Sequence, residues 1–120
     1  MRKAMLASNA VLEKIKYPVF IQPKIDGVRA LHQGHITGRS LEPFANEYTC
    51  EFFDFEGYKY IDGEMAAHSE THPALCRMTT SALSTIEGTP WILWHAFDYL
   101  GPEAIGLPYH ERRTMLFDLV

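Results

Sequence analysis

Lys24 lies in a short stretch, residues 22–30, that also places an acid, a glycine and an arginine directly behind it. A lysine amine with the ordinary pKa of about 10.4 is almost wholly protonated at pH 7 and cannot attack an electrophile. Desolvation, a metal ion or a nearby cation such as Arg29 favours the neutral amine and makes it a nucleophile. The same letters also fit an exposed turn, since Asp-Gly at positions 26 and 27 is a strong turn pair. The stretch alone leaves both interpretations open.

Other side chains with useful chemistry follow along the chain. Asp62 and Glu64 are two positions apart in a strand-like segment, so a strand would project both carboxylates from one face, toward a metal ion or sugar hydroxyls. Alternatively, Asp62 and Glu64 belong to a turn that ends a solvated strand and bind nothing. Phe97 could form a wall of a base pocket or be an ordinary core residue. Arg39 could bind phosphate or lie on the surface.

The elements that must position these residues belong to one globular domain. The chain has 120 residues, 47% apolar and 22% charged, which is enough to bury a modest core. Its formal net charge of -4 gives no overall positive field, so any nucleic-acid contact must be local. Cys50 and Cys76 lack the spacing of a disulfide framework or a zinc knuckle. We predict a cytoplasmic protein without a membrane-spanning segment.

The first half of the chain predicts short strands. Segments 17–22, 28–33 and 35–37 are rich in β-branched and aromatic residues and are separated by turn signals. They predict an antiparallel meander with Lys24 in its first tight connection. The aromatic spacing of residues 46–55 favours a short amphipathic helix over a strand.

The second half alternates strands with helices. Residues 58–68 predict a strand, 73–85 a helix, and 91–99 a long buried strand. A last helix is expected from residue 107, with an apolar stripe of Met115, Leu116 and Leu119. Because that helix meets no polar or glycine stop, we expect the natural protein to continue past residue 120.

In order and spacing these segments resemble the ATP-dependent DNA ligases of the covalent nucleotidyltransferase superfamily, especially the small viral and phage type. Residues 24–29 match the family's Lys-x-Asp-Gly-x-Arg motif, and GRSLEP at 38–43 is similar to its arginine motif. Asp-Gly-Glu at 62–64 matches the next acidic motif, and HAFDYL at 95–100 resembles the aromatic motif. The resemblance implies an α+β, ATP-grasp-like core of antiparallel sheets flanked by helices. Residues 1–120 would be the amino-terminal portion of this adenylation domain, without an oligonucleotide-binding barrel.

The resemblance also implies a reaction and a set of roles. Lys24 would attack the α-phosphorus of ATP, and the AMP would pass to the 5′-phosphate of nicked duplex DNA before a 3′-hydroxyl seals the strand. Mg²⁺ would assist by neutralising charge, and the working protein would be a monomer. By the same resemblance, Gln22 would contact the edge of the adenine and Phe97 would stack on its ring. Arg29 and Glu64 would hold the ribose, and Glu64 would also be the metal ligand. Arg39 would bind the nick 5′-phosphate, and Asp62 would lie near the metal or nick.

The sequence also departs from the family pattern. The family continues with a Glu-Gly metal motif, a Lys-x-Lys motif and a β-barrel, and the Glu-Gly pair at 87–88 precedes the aromatic motif, which is the wrong order. An RNA ligase or a capping guanylyltransferase uses the same lysine chemistry, and a non-catalytic nucleotide-binding fragment is the third alternative. A zinc site at His68 and His72 is disfavoured because Pro73 predicts a loop there.

Residues 1–120 alone are expected to seal nicked DNA poorly or not at all, because the later metal and pyrophosphate-orienting motifs are missing from them. The measurement is ligation of a labelled nicked duplex in the presence of ATP and Mg²⁺. Robust sealing that depends on Lys24 would contradict this prediction.

Overall fold

The fold is α+β, with one antiparallel sheet, in a computed structural model that describes residues 5–6 and 8–119. Its short 3-10 turns lie at Leu12–Lys14 and Glu56–Tyr58. The longer elements are β1 (Val28–His32), β2 (Ile36–Thr37), α1 (Glu47–Phe52), β3 (Ile61–Ala66), α2 (Leu75–Ser84), β4 (Leu93–Tyr99) and α3 (Tyr109–Leu119). The strands are ordered β2-β1-β3-β4 across the sheet. No helix in the described ranges is long and apolar enough to cross a bilayer.

One face of the sheet carries the main core. Successive residues of a strand point to opposite faces of the sheet. Ala30 on β1 and Met65 on β3 point to the same face, and both are completely buried. They pack with Phe53, which follows α1, and with Leu83 of α2. A second cluster joins Ile61 and Tyr99 of the sheet to Ala104 and to Leu116 of α3. The opposite face of β1 and β3, here called the polar face, presents Arg29, Asp62 and Glu64 beside the buried apolar residues Leu31 and Ala66.

Strand register determines which polar residues meet on that opposite face. Arg29 is paired with Glu64, and Asp62 is paired with Asp98. Between these pairs the β3–β4 ladder shifts, so that Phe97 is an additional residue in β4. A bulge of this kind interrupts the alternation of side chains. As a result, Phe97 and its neighbour Asp98 both lie on the side of the sheet that carries Arg29.

Asn46 ties the two core-facing helices together. Its side-chain oxygen accepts hydrogen bonds from the backbone N–H of Thr49 at 2.8 Å and from the Thr49 hydroxyl at 2.6 Å, which caps the start of α1. Its amide nitrogen donates to the carbonyl of Thr85 at 2.8 Å, just after α2. Because Asn46 is completely buried, these bonds satisfy groups that water cannot reach.

The element predictions are largely confirmed. Strands form within 28–33, 35–37 and 58–68, and helices form within 46–55, 73–85 and 107–120. The strand predicted at 17–22 is wrong, because these residues have no strand partner and Ile21 is 92% exposed.

Two details of the later elements differ from prediction. The strand predicted at 91–99 begins at Leu93, and it is not buried along its length, since Trp91 and Leu93 are exposed. Of the apolar stripe predicted for the last helix, Leu116 is buried but Leu119 is exposed. The single sheet in the described residues also replaces the predicted set of sheets.

Replacing Asn46 with Ala is expected to lower the free energy of unfolding by roughly 2–4 kcal/mol, because it removes a helix cap and leaves buried backbone groups unpaired. Urea unfolding followed by circular dichroism measures this. Asn9→Ala, at an exposed position, is the matched control and should change stability by less than about 0.5 kcal/mol. Equal losses in the two variants would contradict the structural role of Asn46.

Candidate active site

An ion pair between Arg29 and Asp62 lies at the centre of the polar face. The guanidinium donates from Nε to Oδ1 at 2.8 Å and from Nη2 to Oδ2 at 2.7 Å. The Asp62 side chain is fully buried, and that of Arg29 is 13% exposed. The two residues lie on adjacent strands, offset by two positions along β3, a diagonal that long side chains span easily. A two-point contact of this kind fixes the plane of the guanidinium.

A second ion pair adjoins the first. Arg112 of α3 donates from Nε to Oδ1 of Asp98 at 2.9 Å and from Nη2 to Oδ2 at 3.2 Å. Asp98 is fully buried and directly opposite Asp62 across the sheet. Two carboxylates would repel each other at this position, but an arginine binds each of them from the outer side. The four side chains form a neutral row in the order Arg29, Asp62, Asp98 and Arg112.

The charges of this row shift the pKa values of its members. The hydrogen bonds to Asp62 raise the pKa of Arg29 above its ordinary value, although burial opposes this. Burial raises the pKa of Asp62, and the nearby charge of Asp98 adds to the rise, while the hydrogen bonds from Arg29 counteract it. Arg29 therefore remains a cation, and its hydrogen bonds and charge are the main effects that oppose the rise in the Asp62 pKa.

Phe97 provides an aromatic ring beside this row. The Arg29 guanidinium carbon lies 4.8 Å from the centre of the ring, a cation–π contact. The side chain is half-buried, so part of the ring remains accessible. Its backbone carbonyl accepts a 2.6 Å hydrogen bond from the Tyr109 hydroxyl. The ring is thus held at the sheet surface, on the same face as Arg29.

Glu64 connects the sheet to the segment that contains Lys24. Its Oε2 accepts a 3.1 Å hydrogen bond from the backbone N–H of Gly27, while Oε1 makes no hydrogen bond within the described residues. A side chain at position 27 would place its Cβ 2.0 Å from the carbonyl oxygen of Met65, so this approach requires glycine. Burial raises the pKa of Glu64, and the positive charges of Arg29 and Lys24 oppose that rise. Lys24 is therefore within electrostatic reach of Glu64.

The remaining predicted residues are exposed. Lys24 is exposed, and its amine makes no hydrogen bond or ion pair with any other described residue. Gln22 is also exposed, with Oε1 at 2.9 Å from the Tyr109 hydroxyl. Arg39 follows β2 and has no hydrogen-bonded or ionic partner in the described part of the chain. The Asp62 side chain is fully buried and paired with Arg29, and its predicted place near the metal or nick stays a prediction.

The described residues contain no group of three or more His, Cys, Asp or Glu side chains arranged to hold a metal ion. Mg²⁺ is commonly held by one or two protein carboxylates together with substrate phosphates. Glu64, with Oε1 unpaired, fits as one such ligand. The rings of His68 and His72 are 4.6 Å apart, but each Nδ1 accepts a backbone N–H bond, from Ser69 and Ala74 respectively. This geometry does not favour the zinc alternative.

Sequence reasoning missed the contribution of α3. Arg112 of this helix binds buried Asp98, a contact that helical periodicity alone does not predict. The sequence alone predicts no role for Tyr109. One signal was present in the sequence: Asp98 lies at the end of the most apolar segment, where a buried carboxylate requires a cationic partner.

Comparison with solved structures relates this arrangement to known proteins. A crystal structure of Chlorella virus DNA ligase-adenylate superposes with a TM-score of 0.75 over 93% of this chain and 40% of that chain, at 24% identity. A second crystal structure of Chlorella virus DNA ligase-adenylate gives a TM-score of 0.73 over 90% and 38%, also at 24% identity. The chain has a DNA-ligase-like fold.

The DNA-ligase-like fold agrees with the family predicted from the ordered motifs. The chain spans about 40% of the length of the viral ligase that it matches. No protein-family model matches the sequence, and neither does any curated protein. At this identity the likeness concerns the fold, so the chemistry must be inferred from the site itself.

Arg29→Met is expected to lower the free energy of unfolding by about 3–5 kcal/mol at pH 7, because it leaves Asp62 buried without its partner. Burial then raises the Asp62 pKa further, so the folded state holds a proton that the unfolded state releases. The loss should therefore shrink as the pH falls from 7 toward the ordinary aspartate value of 3.8. Urea titrations at several pH values measure both effects.

The matched control is Lys59→Met, since the 3.8 Å ion pair of Lys59 with Glu56 is exposed. Its loss should be below about 1 kcal/mol. Adding Asp62→Asn to Arg29→Met should recover part of the stability and abolish the pH dependence. If the loss of stability in Arg29→Met does not change with pH, the assignment of that loss to the buried Asp62 carboxylate is contradicted.

Proposed function

We propose that this chain is the nucleotide-binding part of a ligase-type nucleotidyltransferase in which Lys24 becomes covalently attached to AMP. The observation that carries the proposal is the meeting of Arg29, Glu64 and Phe97 on one sheet face, next to the segment with Lys24. Each has the chemistry that one part of a nucleotide requires. The DNA-ligase-like fold supports the same function.

The nucleoside would be held by short contacts. The accessible part of the Phe97 ring can stack on adenine. Arg29 has five N–H donors, of which two are used by Asp62, so others remain for a ribose hydroxyl. The unpaired Oε1 of Glu64 can accept from a second hydroxyl. Gln22, near the same site through Tyr109, would contact the edge of the base.

The covalent step would use the Lys24 amine. The amine must first lose a proton, after which Nζ attacks the α-phosphorus of ATP. A phosphorus–nitrogen bond forms, the bond to the bridging oxygen breaks, and pyrophosphate leaves. A bound Mg²⁺, with Glu64 as one ligand, would neutralise charge on the triphosphate. The described chain contributes the nucleophile and the positioning of the α-phosphate relative to it.

Transfer to DNA is the further part of the proposal. The AMP would pass from Lys24 to the 5′-phosphate of a nicked duplex, and a 3′-hydroxyl would then displace it to seal the strand. Arg39 is exposed and without a described ionic partner, which leaves its guanidinium available for a terminal phosphate. ATP and nicked duplex DNA are thus the proposed substrates of the complete enzyme.

The chain incubated with Mg²⁺ and ATP labelled at the α-phosphate is expected to acquire the label slowly, whereas ATP labelled at the γ-phosphate should give none. Lys24→Arg should abolish labelling because arginine keeps the charge but is not a nucleophile at neutral pH. Denaturing gels and peptide mass spectrometry measure the adduct. Lys16→Arg, at another exposed lysine of the same segment, is the matched control and should label normally.

Replacing ATP with GTP in the same assay separates the ligase from a capping guanylyltransferase. Preferential labelling from GTP would contradict the ligase proposal, as would a label that persists in Lys24→Arg. Nucleotide binding without any labelling of the wild-type chain would instead support the non-catalytic alternative.

A further inference from the structure

The first turn of α3 holds the Phe97–Asp98 step at two points. The Tyr109 hydroxyl donates to the carbonyl of Phe97 at 2.6 Å, and the Arg112 guanidinium binds the Asp98 carboxylate through two hydrogen bonds. Arg112 is itself fixed by a third bond, from Nη1 to the Leu107 carbonyl at 2.8 Å. Its guanidinium also lies 5.4 Å from the centre of the Tyr109 ring. The two residues therefore act on adjacent positions of β4 as one unit.

Tyr109 and Arg112 bind β4 at its bulge, where the β3–β4 ladder is irregular. Phe97 is the additional residue of the bulge, and a bulged residue is left out of the regular ladder of hydrogen bonds. Without another partner, its main chain would be free to rotate and carry the ring away from Arg29. The Tyr109 hydroxyl provides that partner from outside the sheet.

Tyr109 also contacts the segment that leads to Lys24. Its hydroxyl oxygen lies 2.9 Å from Oε1 of Gln22, and its ring packs edge-on against Phe20, with centroids 6.2 Å apart. A single side chain thus touches both the strand that carries the Phe97 ring and the segment that carries the candidate nucleophile. The Gly27–Glu64 hydrogen bond ties the same segment to the neighbouring strand β3.

We propose that Tyr109 and Arg112 are positioning residues of the nucleotide site, fixing the Phe97 ring against Arg29 and aligning the Lys24 segment with it. This inference rests on the proposed function, since it assigns a purpose to the site described above. Neither residue needs to touch the nucleotide. Tyr109 acts through the main chain of Phe97, and Arg112 acts through Asp98.

The test uses Tyr109→Phe, which removes the hydroxyl and keeps the ring. Thr114→Val is the matched control, because it removes a hydroxyl from the same helix that bonds only to the carbonyl of His110. The first readout needs no nucleotide: the proton resonance of the Arg29 Nε–H group, which the adjacent Phe97 ring displaces by its ring current. Phe97→Leu provides the reference position without the ring.

Tyr109→Phe is expected to move the Arg29 resonance toward that reference, and Thr114→Val is expected to leave it unchanged. An Arg29 resonance that stays at the wild-type position in Tyr109→Phe would overturn the inference. A purely structural role for Tyr109 in α3 would lower stability without moving this resonance. This readout holds whether or not the chain binds nucleotide, so it separates the inference from the proposed function.

The second readout is the ATP concentration that gives half-maximal labelling of Lys24. Tyr109→Phe should raise it about five- to tenfold, the effect of losing one well-placed hydrogen bond, and Thr114→Val should change it less than about twofold. An unchanged value in Tyr109→Phe would also overturn the inference. If the wild-type chain neither labels nor binds ATP, the proposed function fails, and the Arg29 resonance alone decides whether Tyr109 positions the ring.

Discussion

Two aspartates buried side by side in a sheet, Asp62 and Asp98, impose the constraint that most of this structure satisfies. Burying a carboxylate costs free energy unless a cation pairs with it. Here each aspartate pairs with an arginine from a different part of the chain: Asp62 with Arg29 of the neighbouring strand, and Asp98 with Arg112 of α3. These demands fix the offset between β1 and β3 and the docking of α3 beside β4. They also leave the Arg29 guanidinium in one orientation, over the Phe97 ring.

The same constraint contributes to a candidate site in which most side chains are held by partners within the protein. Arg29 is held by Asp62, Glu64 by the Gly27 N–H, and Phe97 by the Tyr109 hydroxyl. Side chains fixed in this way lose little conformational entropy when a ligand binds. Lys24 and Arg39 are the exceptions among the proposed site residues, since neither has a hydrogen-bonded or ionic partner in the described chain. In the proposed reaction, Lys24 would bond to phosphorus and Arg39 would bind a phosphate, and unpaired side chains are free to do so.

The sequence predicted the parts of this site that depend on local pattern. A strand places Asp62 and Glu64 on one face wherever it lies, and the motif spacing alone selects Lys24, Arg29 and Phe97 as candidate site residues. Partnership between distant segments could not be predicted. Helical periodicity makes Arg112 appear solvated, and only the fold brings it to Asp98. The strand expected at 17–22 failed for a similar reason: both edges of β1 are occupied, by β2 and β3, so its apolar pattern found no partner there.

The neutral row has a consequence for how a triphosphate first encounters this surface. Arg29 and Arg112 are each cancelled at close range by a carboxylate, so they add little to the field at a distance. What remains is an overall negative chain, with a net charge of -4, and a few exposed cations such as Lys24. Long-range attraction cannot collect ATP here as it does on a basic surface. Nucleotide capture would instead depend on contacts within a few ångströms and on the cations that travel with the triphosphate.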